Sequence, residues 1–194
     1  MVLAPLITHT TWRTTTELMA ILHSALKTVT ILKYDCKSII MNEKLAGLVK
    51  ELEAKNIEFR LVELTDKAMT VKDVIKFSKG NLEVDEICKT IIWETKKGLI
   101  GVFLKGDTRI NLAKLQKFLN AKVTMASSEE VKEKTGLEPG AVCPLLLGIP
   151  LVMDKDVFDL KKANFGSGDH LYGIEMNPGD ILNLTHARIA KLSD

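Results

Sequence analysis

The chain has 194 residues, 46% of them hydrophobic and 27% charged, and a formal net charge of +2. That length holds one ordinary domain with an appendage, not two full domains, and that composition buries a core, which excludes disorder for most of the chain. A charge of +2 is too small to mark a nucleic-acid binder by itself, yet it leaves room for a local basic patch.

The first forty residues stand apart from the rest. Glu17 and Asp35 are their only acids, and Thr8, Thr10, Thr11, Thr14, Thr15 and Thr16 cluster near the start. Leu18, Ile21, Leu22 and Ala25 predict a short helix over 17–27. With Arg13 the only arginine, a transit peptide is disfavoured, and the charged-then-apolar layout of a secretory signal is missing. Residues 1–40 are therefore read as a poorly ordered extension or a start assigned too early, with 41–194 as the folded domain.

From Asn42 the signals sharpen. Asn42 is placed to cap a helix with Leu45, Leu48, Val49 and Leu52 on one stripe. Ile57, Phe59 and Leu61 alternate with Glu58 and Arg60, as in a half-buried strand. Thr70 and Asp73 are spaced as a capping box for a helix that turns Val71, Val74 and Ile75 inward.

Cys88 to Thr95, a Lys96-Lys97-Gly98 turn and Leu99 to Leu104 read as a β-hairpin. Asn111 caps a helix bearing Leu112, Leu115, Phe118 and Leu119, and a strand follows at 123–126. Ser127 and Glu130 form a second capping box, with Gly136 closing that helix. Val142 to Met153, broken by Pro144, Gly148 and Pro150, reads as a buried loop entering a strand. Asn177-Pro178 starts a last helix, and 187–190 gives a closing strand. Helices and strands mix without a βαβ repeat, so the class is α+β with a mixed, mostly antiparallel sheet.

No apolar run reaches the roughly 18 residues that span a bilayer, so no membrane partner is expected. Cys36, Cys88 and Cys143 are odd in number and far apart, and His9, His23, His170 and His186 lack ligand spacing. This pattern suits a reducing cytoplasm, with no structural zinc and no cofactor implied.

Three features carry chemistry. Lys89 sits in an apolar strand, where lysine is rarely buried without a partner; a lysine that starts a strand and snorkels to water accounts for it equally well. The loop Gly140-Ala141-Val142-Cys143-Pro144 and the segment Gly166-Ser167-Gly168 can bring backbone close to a ligand, or be plain turns. A cysteine hydrolase built on Cys143 with His170 or His186 has no local signature.

Taken in order, Lys89-Thr90-Ile91-Ile92-Trp93, the stretches 106–115 and 121–144, Gly166-Ser167-Gly168, 174–182 and 187–193 resemble the YbaK/prolyl-tRNA synthetase insertion-domain family. The resemblance runs from about Glu43 to Asp194. It implies a barrel-like sheet flanked by helices and an editing pocket. Lys89, Gly140 and Pro144 would be its catalytic positions; Thr90, Ala141, Val142, Cys143, Gly166, Ser167 and Gly168 would bind substrate. It further implies hydrolysis of the ester of a mischarged aminoacyl-tRNA, often tRNA for proline, without a Ser or Cys triad. Aminoacyl-tRNA is then the partner, with prolyl-tRNA synthetase or another synthetase as a second one. Leu64 stands near a position where many relatives carry His or Tyr, and Gly173 where the YbaK branch carries Asp. These departures keep open a non-catalytic module of the same fold that binds tRNA or a synthetase.

Overall fold

The computed structural model describes residues 41–80 and 82–194, and the helix expected at 17–27 lies outside the described residues.

Helix α1 spans Glu43–Ala54. Asn42 Oδ1 accepts from Leu45 N at 2.9 Å, satisfying a backbone donor that the first turn leaves free. Leu45, Leu48, Val49 and Leu52 are its buried stripe. Strand β1 follows at Phe59–Glu63. Its most buried residue is Val62, not Leu61, because Val62 packs with Leu64, Ala68 and Val74.

Helix α2, Val71–Phe77, opens on the Thr70–Asp73 capping box. Ile75, expected inward, is instead exposed. In so short a helix the packed stripe is the i,i+3 pair Val74 and Phe77, which leaves Ile75 on the outer side.

The hairpin is β2, Cys88–Thr95, and β3, Gly98–Lys105, in antiparallel register from Cys88↔Lys105 to Thr95↔Gly98. Helix α3, Leu112–Leu119, lies on one face of this hairpin, where Trp93, Val102, Leu104 and Leu115 share a core cluster. Strand β4, Val123–Met125, pairs antiparallel with β2, and helix α4, Ser128–Thr135, opens on the Ser127–Glu130 box. Strand β5, Leu151–Asp154, pairs parallel with β3.

Strands β6, Ala163–Gly166, and β7, Tyr172–Met176, form a second antiparallel hairpin. Helix α5, Pro178–Thr185, and strand β8, Arg188–Ala190, end the described order.

The strands form a three-stranded sheet, β1-β7-β6, and a five-stranded sheet, β4-β2-β3-β5-β8. Pairing is antiparallel except at β3–β5 and β5–β8. The fold is α+β with one antiparallel and one mixed sheet, which do not close into a barrel. An isolated parallel bridge, Ile87↔Asn164, brings the two sheets together beside the start of β2. Phe103 of β3 meets Phe165 of β6 edge-on, ring centroids 5.6 Å apart. The buried Asp154 carboxylate ties down the C-terminal segment, accepting from Leu192 N at 2.8 Å and Ser193 N at 2.7 Å.

Gly47 is an exposed glycine inside α1, and a Cβ added there meets nothing within 4 Å. Gly47→Ala is expected to stabilise the protein by about 0.5–1 kcal/mol, the helical cost of glycine against alanine. Equilibrium unfolding in urea measures it.

Candidate active site

Where the two sheets approach, the start of β2 faces the β6–β7 hairpin across a cavity of about 330 Å³. Four sides define it. Cys88, Lys89 and Thr90 come from β2; Asn164, Phe165, Gly166 and Gly173 come from β6 and β7; Ala68 to Val71 and Val74 come from the start of α2 and the segment before it. Gly140 and Val142 close the fourth side.

The G-x-x-x-P loop is held against Gly166-Ser167-Gly168 by backbone. Gly168 N donates to Ala141 O at 2.8 Å. The approach is so close that a Cβ on Gly166 would stand 2.9 Å from the Ala141 carbonyl carbon. Gly140 has φ +90°, a backbone that L side chains rarely adopt, and its missing Cβ leaves room for Met69 Cα at 3.0 Å.

The expected site residues divide accordingly. Lys89, Thr90, Gly140, Val142 and Gly166 line the cavity. Ala141, Cys143, Pro144 and Ser167 are buried behind it. Pro144 begins a 3-10 turn over Pro144–Leu146, and Ser167 Oγ donates to Tyr172 O at 2.7 Å. Gly168 faces a neighbouring, more open cavity of about 500 Å³ beside the start of α1. Both divergent positions, Leu64 and Gly173, lie on the cavity wall.

Lys89 does not simply snorkel to water. Its Nζ donates to Gly106 O at 2.8 Å and Thr108 O at 2.7 Å, so it also pins the turn after β3. Burial holds its pKa below the ordinary lysine value, while nearby Asp107 opposes the shift. An ammonium has three donors, so one N–H remains for a ligand. Burial pushes the thiols of Cys88 and Cys143 up to about 12, which suppresses thiolate formation.

Several lining residues were not legible as site residues. His170 sits on the rim between both cavities, its Nδ1 3.3 Å from Ala68 O and its Nε2 3.3 Å from Glu138 Oε2. Asp169 accepts from Asn42 N and Leu171 N, fixing the loop that carries His170. A histidine two residues past Gly166-Ser167-Gly168 was the available signal. Asn164 and the 68–71 segment carried none. Among the described residues no group of three or more His, Cys, Asp or Glu is placed to hold a metal ion, and no helix is long and apolar enough to cross a membrane.

Comparison with known proteins gives this arrangement a family. The aminoacyl-tRNA editing domain model matches residues 65–184, more than half of the chain. The chain belongs to that family. The proline–tRNA ligase of Caldicellulosiruptor saccharolyticus is 28% identical over 131 residues, which are 67% of this chain and 22% of the ligase. That of Lactococcus lactis is 35% identical over 107 residues, 53% of this chain and 17% of the ligase. The chain thus spans about a fifth of the length of these ligases. Among solved structures, a protein described only as hypothetical superposes with TM-score 0.66 at 27% identity, covering 76% of this chain and 99% of its own. A candidate trans-editing enzyme for prolyl tRNA synthetase shares the fold with TM-score 0.68 at 24% identity, covering 79% of this chain and 99% of its own.

Proposed function

We propose that residues 41–194 form a deacylase that cleaves the ester of a mischarged aminoacyl-tRNA in trans, with tRNA for proline as its carrier. The single observation that carries this reading is the convergence of Lys89, the Gly140–Val142 backbone and Gly166 on one cavity in a chain of the editing family. The resemblance to proline–tRNA ligases supports the choice of tRNA.

The catalytic positions on this reading are Lys89, Gly140 and Pro144, with Pro144 shaping the loop from behind the cavity. An aminoacyl ester is already activated, so positioning and electrostatics suffice for hydrolysis. Water attacks the carbonyl carbon; if the adjacent ribose hydroxyl attacks first, the acyl group only moves between the two ribose oxygens, and water then completes the hydrolysis. The carbon–oxygen bond to the tRNA breaks, and the ribose oxygen leaves with the proton the nucleophile gave up. Lys89 supplies a fixed cation beside the developing charge, and the 140–142 backbone orients the ester. No Ser or Cys nucleophile is required. Cys143 is fully buried behind the cavity, and the Ser167 hydroxyl is engaged by Tyr172 O. The expected setting is the cytoplasm, with a synthetase as a further partner.

The competing reading is a non-catalytic tRNA- or synthetase-binding module. It draws on the two Lys89 donors already used by carbonyls and on the inert Leu64 and Gly173 in the wall. A deacylation screen with tRNA for proline charged separately with alanine, cysteine, serine and proline separates the two. Release of at least one non-cognate amino acid, with prolyl-tRNA spared, is the expected result. Binding without release from any of the four would transfer the chain to the binding module.

A further inference from the structure

Three buried side-chain polar atoms have no hydrogen-bond partner among the described residues: Thr90 Oγ1, Trp93 Nε1 and Asn164 Nδ2. Such an orphan costs stability that an apolar side chain of the same shape would not, so each one needs a reason. Trp93 belongs to the core cluster beneath α3. Thr90 and Asn164 both line the candidate cavity.

Asn164 is only 2% exposed. Its bridge to Ile87, directly before β2, sets it near the strand end that carries Thr90. Across the β6–β7 ladder, a Cβ on Gly173 would stand 3.1 Å from Asn164 Oδ1, so the glycine keeps the space beside the amide open. Leu64, Val74, Ile87, Val142 and Phe165 give the lining an apolar part, while Lys89, Asp169, His170 and Tyr172 add polar groups. The cavity therefore suits a ligand that combines hydrogen-bonding groups with a short apolar group.

An α-amino ester has that form. We infer that Asn164 contacts the substrate: its amide, with the Thr90 hydroxyl, takes the amino-ester head, and the amino-acid side chain lies on the apolar wall. The assignment rests on the editing reading and adds Asn164 to the residues that hold the ester. An amide both donates and accepts, and a half-turn about χ2 exchanges its ends, so it can meet the ester carbonyl or the ammonium.

A purely structural role predicts the opposite response to substitution. Polar groups that serve the fold destabilise it when removed, whereas orphans kept for a ligand do not. The test uses the full chain and its Thr90→Val and Asn164→Leu variants, each close in shape to the residue replaced. Thermal unfolding is measured, together with calorimetric binding of 3′-alanylamino-3′-deoxyadenosine, a stable amide of the ester. Both variants should unfold at the parent temperature or above it, and bind the amide about tenfold more weakly, a loss of one hydrogen bond's worth. Parent-like affinity in both variants would overturn the assignment, as would lower stability accompanying the loss of binding. Failure of the parent itself to bind the amide would also overturn it. The deacylation screen, which does not use the amide, then reports separately whether the editing reading survives.

Discussion

Lys89→Ala is expected to abolish most hydrolysis, lowering the single-turnover rate on the order of 100-fold or more, the usual loss for one preorganised electrostatic contact. The ammonium is placed for this by its own strand and by the turn it holds. Two of its donors go to Gly106 O and Thr108 O, which fixes the direction of the third. The same bonds mean that the substitution also costs stability, about 1.5–3 kcal/mol for each hydrogen bond to a charged group at most. Rates are therefore compared well below the unfolding temperature of the variant. Lys89→Arg should rescue poorly, since a planar guanidinium cannot reproduce a compact ammonium between two carbonyls. Lys97→Ala, in the exposed β2–β3 turn, serves as the control and should leave the chemical step unchanged. Near-parent turnover by folded Lys89→Ala would remove the cation from the mechanism.

The second large effect is expected at Gly166. A Cβ there would stand 2.9 Å from Ala141 C, and 3.1 Å from both Ala141 O and Val142 O. These are backbone atoms of the loop that closes the cavity, so no side-chain rotation relieves the clash. Gly166→Ala should displace that loop, destabilise the protein by about 1–3 kcal/mol as overpacking does, and depress turnover more than tenfold. Urea unfolding with single-turnover deacylation measures both. A variant with parent stability and rate would mean that the loop-to-strand contact is not needed for the site.

The caps were legible because each is settled within three residues: Asn42 with Leu45, Thr70 with Asp73, Asn111 with Lys114, and Ser127 with Glu130. The hairpin was legible for the same reason, a two-residue turn ahead of Gly98 joining two apolar runs. The site was legible in part. Lys89 and the two glycine-containing segments stood out as exceptions to local rules, a cation in an apolar strand and small residues where backbone approaches backbone. Asn164, Asp169 and the 68–71 segment break no local rule. They reach the cavity only through long-range pairing, such as Ile87↔Asn164 and Ala68 N to His170 O, which no spacing within a segment encodes. The exposed Ile75 shows the same limit at the level of packing. Periodicity gives a helix its candidate stripe, and the neighbouring sheet decides how much of it is covered.

On the proposed mechanism the cavity between β2, the β6–β7 hairpin and the 140–142 loop holds the aminoacyl ester. A crystal structure of the full chain soaked with 3′-alanylamino-3′-deoxyadenosine tests it most directly. The alanyl group should lie in that cavity, its amide carbonyl carbon within contact of the Gly140–Val142 backbone and its adenosine leading out past Lys89. An alanyl group seated elsewhere, with the cavity left to solvent, would mean that this cavity is not the ester site.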